Sequence, residues 1–172
     1  MMTVVIGGSA SGKSEYAESL VLKAGIPTRI YLATMQPFDD ECLNRIARHR
    51  AMRASKGFDT VECYTGLASV QVPKGCTVLL ECMSNLCANE FFGPSGKNCP
   101  AVIMEGIRSL NRQAGRLIVV TNEVFSGGTD YEGETLDYMK ALAQINREMA
   151  ALADELCEVV CGVPVYLKGA GV

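Results

Sequence analysis

The stretch VVIGGSASGKS, residues 4–14, decides how the rest of the chain is read. A short β-branched run ends in two glycines, and Gly7, Gly8, Ser9, Ala10, Ser11, Gly12, Lys13 and Ser14 match the pattern G-x-x-x-x-G-K-S in full. Each part of that pattern has a physical reason. Glycine lets backbone N–H groups turn inward and approach phosphate oxygens closely. A helix starting behind the loop adds the partial positive charge of its N-terminus. The lysine reaches β- and γ-phosphates, and the serine hydroxyl ligates Mg²⁺. The same eight residues can also arise in an ordinary glycine-rich turn. Here they follow the strand-like TVVI and precede SEYAESLVLKAG, where Tyr16, Ala17, Leu20, Val21 and a stop at Gly25 read as a helix. Strand, loop and helix in that order predict nucleotide binding.

Downstream, TRIYLAT reads as a second strand, with Pro27 breaking any helix before it. DDECLNRIARHRAMRAS reads as a helix, N-capped by Asp39 or Asp40, with Leu43, Ile46, Ala47 and Ala51 as its buried stripe. FDTVECY is a short strand, and CTVLLECM has the continuous apolar character of a central parallel strand. NEFFGPSGKNCP reads as a loop, AVIMEGIRSLNRQAG as a helix and RLIVVTNEV as a buried strand. FSGGTDYEGE is a flexible connection to the long amphipathic helix TLDYMKALAQINREMAALADEL. CEVVCGVPVYLKG closes the chain as one strand or as two broken near Gly162 and Pro164, and the 120s loop and the tail after Lys168 are the expected mobile pieces. Strands alternating with helices predict an α/β fold with a mostly parallel central sheet flanked by helices. The 172 residues suit one domain, 1–172.

A net charge of −3 argues against a dedicated nucleic-acid binder, although basic residues cluster near position 50. No apolar run approaches the roughly 18 residues of a membrane span, and glycines interrupt the N-terminus where a signal peptide would be apolar. The eight cysteines contain no C-x-x-C pair. Several sit in apolar runs, so they read as reduced, buried or half-buried thiols of a cytoplasmic protein.

A nucleotide site of this kind needs an acidic group for its metal at the end of a neighbouring strand. Glu81 closes VLLE and is the leading candidate, against the alternative of a polar strand end; Asp39 and Asp40 are rivals better suited to capping. RIARHRAMR, residues 45–53, holds the only histidine of the chain, His49, among Arg45, Arg48, Arg50 and Arg53. A solvated basic helix face is the plain reading. Yet arginines crowded on one helix repel each other, and an anion relieves that repulsion. Surrounding positive charge favours the neutral, nucleophilic imidazole. Guanidinium groups also neutralise a triphosphate and its pyrophosphate leaving group. A nucleotidyl-histidine intermediate is therefore chemically sensible.

The combination of GGSASGKS, YLATMQPFDDE, RIARHRAMR, VLLECMSNLCANEFF, VVTNEV and INREMAALADELCEVVCGVPVYLK resembles the bifunctional adenosylcobinamide kinase/adenosylcobinamide-phosphate guanylyltransferase family of cobalamin biosynthesis. The glycine loop is shared by many enzymes; Y-x-A-T, R-I-x-x-H-x-x-x-R and T-N-E-V together are far more specific, and they cover nearly the whole chain. The resemblance implies a single P-loop, RecA-like domain assembled as a homotrimer. It implies phosphorylation of adenosylcobinamide by ATP or GTP, then transfer of GMP from GTP through a guanylylated His49. It implies that Gly7 to Ser14 hold phosphates, that Thr34, Met35 and Gln36 contact nucleotide, and that Arg50 and Arg53 are the basic residues following the histidine. Glu62 and Glu81 match acidic positions associated with guanosine or metal, Ser14 and Glu81 serving Mg²⁺. The chain departs from the family pattern at Ala10, usually arginine, and after NEV, where FSGGTDYEGE replaces G-x-G-I-V-P and an arginine-bearing helix start. Two other readings remain open: a P-loop small-molecule kinase with no covalent intermediate, and a nucleotide-binding module without catalysis.

Overall fold

The computed structural model describes residues 1–127 and 131–169. The expected mobile pieces lie in part at 128–130 and 170–172, outside the described residues. Strands β1 (Met2–Gly7), β2 (Arg29–Ala33), β3 (Asp59–Glu62), β4 (Thr77–Glu81), β5 (Arg116–Asn122), β6 (Glu155–Val160) and β7 (Val163–Lys168) form one seven-stranded sheet in the order β3-β2-β4-β5-β1-β6-β7. All neighbours are parallel except β6 and β7, whose short turn at Cys161 and Gly162 makes an antiparallel hairpin. The last segment is thus two strands.

The central strands are apolar because both of their faces are covered. Met2, Val4, Leu32, Val78, Leu80, Leu117 and Val119 point to one side, into a core shared with α3 (Met83–Phe91), α4 (Cys99–Gln113) and α5 (Gly133–Leu152). Val5, Tyr31, Leu79, Ile118 and Val120 point to the other, against Ala17, Leu20 and Val21 of α1 (Lys13–Lys23). α4 packs closely on residues 67–68 at Gly106, where a Cβ would stand 2.6 Å from Leu67 Cβ and 2.9 Å from the Ala68 nitrogen. Gly106→Ala is therefore expected to cost about 1–3 kcal/mol through overpacking, read as a lower midpoint in urea unfolding.

Two expectations need correction. The first concerns α2 (Asp40–Arg53), none of whose described side chains belongs to either core. Leu43 is 50% exposed, Ala47 and Ala51 are exposed and Ile46 is only half-buried. The buried face of this helix is polar instead, carrying Arg53 and half-buried His49, because it faces a cavity and not the sheet. The second concerns residues 89–91, expected in a loop. They complete α3, whose Met83, Leu86, Cys87 and Glu90 are buried at helical spacing. The helix is nine residues long and has no side-chain cap at Cys82, so the usual start signal is missing. Buried Glu90 anchors its far end, accepting hydrogen bonds from the Gly66 amide at 2.6 Å and from the Ser95 hydroxyl.

All eight cysteines are free thiols, six of them buried. Burial pushes Cys63 and Cys157 up to about 11, which keeps them protonated and unreactive near neutral pH. Cys161 departs from the expected burial, exposed at the β6–β7 turn. No described helix is long and apolar enough to cross a membrane.

Candidate active site

The C-terminal ends of β1, β2, β4 and β5 open into a cavity of about 860 Å³, roofed by α2. This is where an open parallel sheet places its ligands. The glycine loop forms one wall. Ala10 and Gly12 have φ of 56° and 90°, the left-handed values that turn the loop back on itself. At Gly7 a Cβ would stand 2.5 Å from Ser11 Oγ and 2.8 Å from the Val159 carbonyl, so no larger residue fits. The β6–β7 turn braces the loop from outside, the Gly162 amide donating to the Ser11 carbonyl at 2.8 Å. Lys13 Nζ donates to the Gly8 carbonyl at 2.9 Å. Burial lowers the Lys13 pKa, with the nearby Glu81 carboxylate acting in the opposite direction.

Glu81, 8% exposed, is the point where the site's parts meet. Its Oε1 accepts a short hydrogen bond from Ser14 Oγ, and its Oε2 accepts from the Tyr31 hydroxyl at 3.1 Å. His49 Nδ1 lies 3.8 Å from the same Oε1, beyond hydrogen-bond distance. The histidine of α2 and the serine of the glycine loop, far apart in sequence, thus flank one carboxylate oxygen. Of the rivals to Glu81, Asp39 caps α2, taking the Cys42 amide at 2.7 Å, and that amide holds its carboxyl below the usual range. Asp40 begins the helix, and neither residue lines the cavity.

The other candidates divide by depth. Ser9, Ala10, Ser11, Gly12, Thr34, Met35, Arg50, Arg53 and Glu62 line the cavity; Gly7, Gly8 and Gln36 do not. Arg50 and Glu62 form an exposed ion pair at 3.2 Å on the rim, a contact of little net energy. Arg53 lies inside, 6% exposed, its guanidinium 3.3 Å above the Tyr31 ring centroid. Thr34 ties β2 to β4: its fully buried hydroxyl accepts from the Cys82 amide at 2.8 Å and donates to the Cys82 carbonyl at 2.9 Å. Thr34→Val leaves two buried backbone groups without this partner. It should lower stability by about 1–3 kcal/mol, measured as a loss of urea midpoint with the slope unchanged.

Sequence reasoning gave no site role to Tyr31, Tyr64, Asn85, Asn122 or Glu123, all of which line the cavity, although Tyr31 opens Y-x-A-T and Asn122 and Glu123 belong to T-N-E-V. Asn122 ends β5 and Glu123 follows it, so strand-end position was the available signal for these two; Tyr31 lies mid-strand in β2 and carried no such signal. Asn122 donates to Ser84 Oγ at 2.6 Å. Glu123 is a weak base: the Ser126 side chain, then the Phe125 and Ser126 amides, hold its pKa down.

Against this geometry, the family model for cobinamide kinase / cobinamide phosphate guanyltransferase matches residues 3–167. The chain belongs to this family. A cobinamide kinase/guanyltransferase is a transferase acting with nucleotides, in keeping with a glycine loop at the cavity wall. The chain is similar to the bifunctional adenosylcobalamin biosynthesis protein CobU of Salmonella typhimurium, 32% identical over 98% of this chain and 100% of that protein. It is also similar to the bifunctional adenosylcobalamin biosynthesis protein CobP of Pseudomonas aeruginosa, 28% identical over 98% of each. Among solved structures, a type III secretion system ATPase superposes with a TM-score of 0.57 at 10% identity, over 96% of this chain and 56% of that one. The flagellar accessory protein FlaH of Methanocaldococcus jannaschii gives 0.53 at 13% identity, over 98% and 78%. At such identities these neighbours speak to the fold alone, a RecA-like P-loop α/β architecture.

Proposed function

We propose that this cavity carries out both transfers of the family on one substrate, adenosylcobinamide. ATP or GTP first phosphorylates its aminopropanol hydroxyl; GMP is then transferred from GTP to that phosphate through a guanylyl-His49 intermediate. The observation that supports this most directly is the placement of His49 and Ser14 on either side of Glu81 Oε1. The loop and His49 of α2 both line the same cavity, where a single triphosphate could meet both.

In the guanylyl half-reaction a neutral imidazole nitrogen of His49 attacks the α-phosphorus of GTP. A P–N bond forms, the P–O bond to the β-phosphate breaks and pyrophosphate leaves with the electron pair. The acceptor's phosphate oxygen then attacks the same phosphorus, the P–N bond breaks and His49 is regenerated. Loop amides and Lys13 hold the outer phosphates, and Arg53 and Arg50 offset charge that builds up on the leaving group. In the kinase half-reaction the loop and Lys13 hold the outer phosphates while the acceptor oxygen attacks the γ-phosphorus; the P–O bond to the β-phosphate breaks, the nucleoside diphosphate leaves with the electron pair and the hydroxyl proton passes to solvent.

The Ser14 hydroxyl and the Glu81 carboxylate are adjacent oxygen donors. They fit Mg²⁺, which takes few protein ligands and completes its shell with water and substrate phosphates. When bound, the ion would neutralise phosphate charge. By the family resemblance we place one domain, 1–172, in a cytoplasmic homotrimer, which light scattering checks as a mass of three chains.

Incubation with adenosylcobinamide, GTP and Mg²⁺, followed by mass spectrometry of the corrinoid, tests the function. The expected products carry first one phosphate and then GMP. Unmodified corrinoid at full incubation would refute the reading.

A further inference from the structure

Tyr31 lines the cavity, touches two charged members of the site and has been given no task above. Its hydroxyl donates to Glu81 Oε2 at 3.1 Å. Its ring face carries the Arg53 guanidinium at 3.3 Å. Phe58 stands edge-on to the same ring, centroids 6.2 Å apart at 82°, and fixes its plane. The side chain is 4% exposed.

We propose that Tyr31 is a positioning residue for guanylyl transfer: its hydroxyl sets which oxygen of Glu81 faces Ser14 and His49, and its ring seats Arg53 as the inner phosphate contact. The inference rests on the His49 reading above.

The two oxygens of the Glu81 carboxylate have different partners. Oε2 is occupied by Tyr31, which leaves Oε1 as the oxygen shared by Ser14 Oγ and approached by His49 Nδ1. The second half concerns Arg53. Its Nε and Nη1 have no hydrogen-bond partner among the described residues, although the residue is almost wholly buried. Unmade hydrogen bonds on a buried cation are unfavourable, and the aromatic face offsets part of that cost. A guanidinium held flat with free N–H groups is prepared for bidentate contact with phosphate oxygens. Arg50 differs on both counts, being exposed and already paired with Glu62.

A tyrosine that merely fills the core would show the same burial, so the test must read function. Tyr31→Phe keeps the ring and loses the hydroxyl; Tyr31→Leu loses both. Single-turnover labelling of His49 by GTP and binding of inorganic pyrophosphate are measured for each, after confirming a cooperative melt. Tyr31→Phe is expected to label about tenfold more slowly at saturating GTP, with half-saturation and pyrophosphate affinity within about twofold of wild type. Tyr31→Leu should label as slowly and also bind pyrophosphate about tenfold more weakly, the scale of a desolvated cation–π contact. If wild type labels and both variants match it in rate and affinity, the proposal is overturned. If wild type takes no label, the guanylyl reading itself fails, and the pyrophosphate measurement alone decides whether Tyr31 seats Arg53.

Discussion

His49→Ala incubated with α-labelled GTP and Mg²⁺ is expected to carry no covalent label, while wild type carries one that is acid-labile, base-stable and located in the His49 peptide. The lability follows from the bond. Acid protonates a phosphoramidate nitrogen and makes it a good leaving group, and alkali does not. His49 is the only histidine in the chain, so no other imidazole can take over. Removing a nucleophile that forms a covalent intermediate should reduce GMP transfer by at least about 10³-fold. Phosphorylation of adenosylcobinamide by the same variant should stay within a few-fold of wild type. The glycine loop, Lys13 and Glu81 all remain, and that step needs no P–N bond. The split separates the competing readings. Equal labelling of wild type and His49→Ala would place the modification elsewhere. Phosphorylation without any label on wild type would leave a P-loop kinase with no covalent step. Absence of both would leave a nucleotide-binding module.

Why the sequence carried some of this and not the rest is clear from particular residues. The loop at residues 7–14 was legible because its chemistry is local: glycines, lysine and serine act within one turn of chain, and the flanking strand and helix are contiguous with it. The apolar runs of β4 and β5 were legible because burial on both faces leaves a continuous signal. The face of α2 was not. Leu43, Ile46, Ala47 and Ala51 recur at helical spacing, but periodicity alone cannot say that the buried side of a helix faces a polar cavity. His49 and Arg53 turned inward while Leu43 turned to solvent. Tyr31 was hidden for the opposite reason. It opens the Y-x-A-T stretch, but nothing local gives it a task, and its importance lies in contacts with Glu81 and Arg53, separated from it by whole elements. The shared Glu81 oxygen depends on tertiary placement in the same way, though Glu81 itself was anticipated from its strand-end position.

Lys13→Met is expected to cripple both transfers while leaving the empty protein as stable as wild type, or slightly more so. The catalytic half follows from shared geometry. On the proposed reading, a donor phosphorylating a hydroxyl and a GTP guanylylating His49 both place their outer phosphates in the glycine loop, and among the described residues Lys13 is the only lysine lining the cavity. Loss of a preorganised charged donor to developing phosphate charge should lower each rate by about 10²–10³-fold. The stability half follows from the environment of the ammonium group. Burial disfavours its charge, and its hydrogen bond among the described residues is to the Gly8 carbonyl of its own loop. Methionine fills a similar volume without a charge to desolvate, and exchanges of that kind are often neutral or stabilising. The combination of lost activity and retained or raised melting temperature is what a residue held in place for its ligand should give. Wild-type labelling of His49 in Lys13→Met would break the link: the triphosphate would then be held by the arginines of α2 and not by the glycine loop, and the two transfers would no longer share one phosphate cradle.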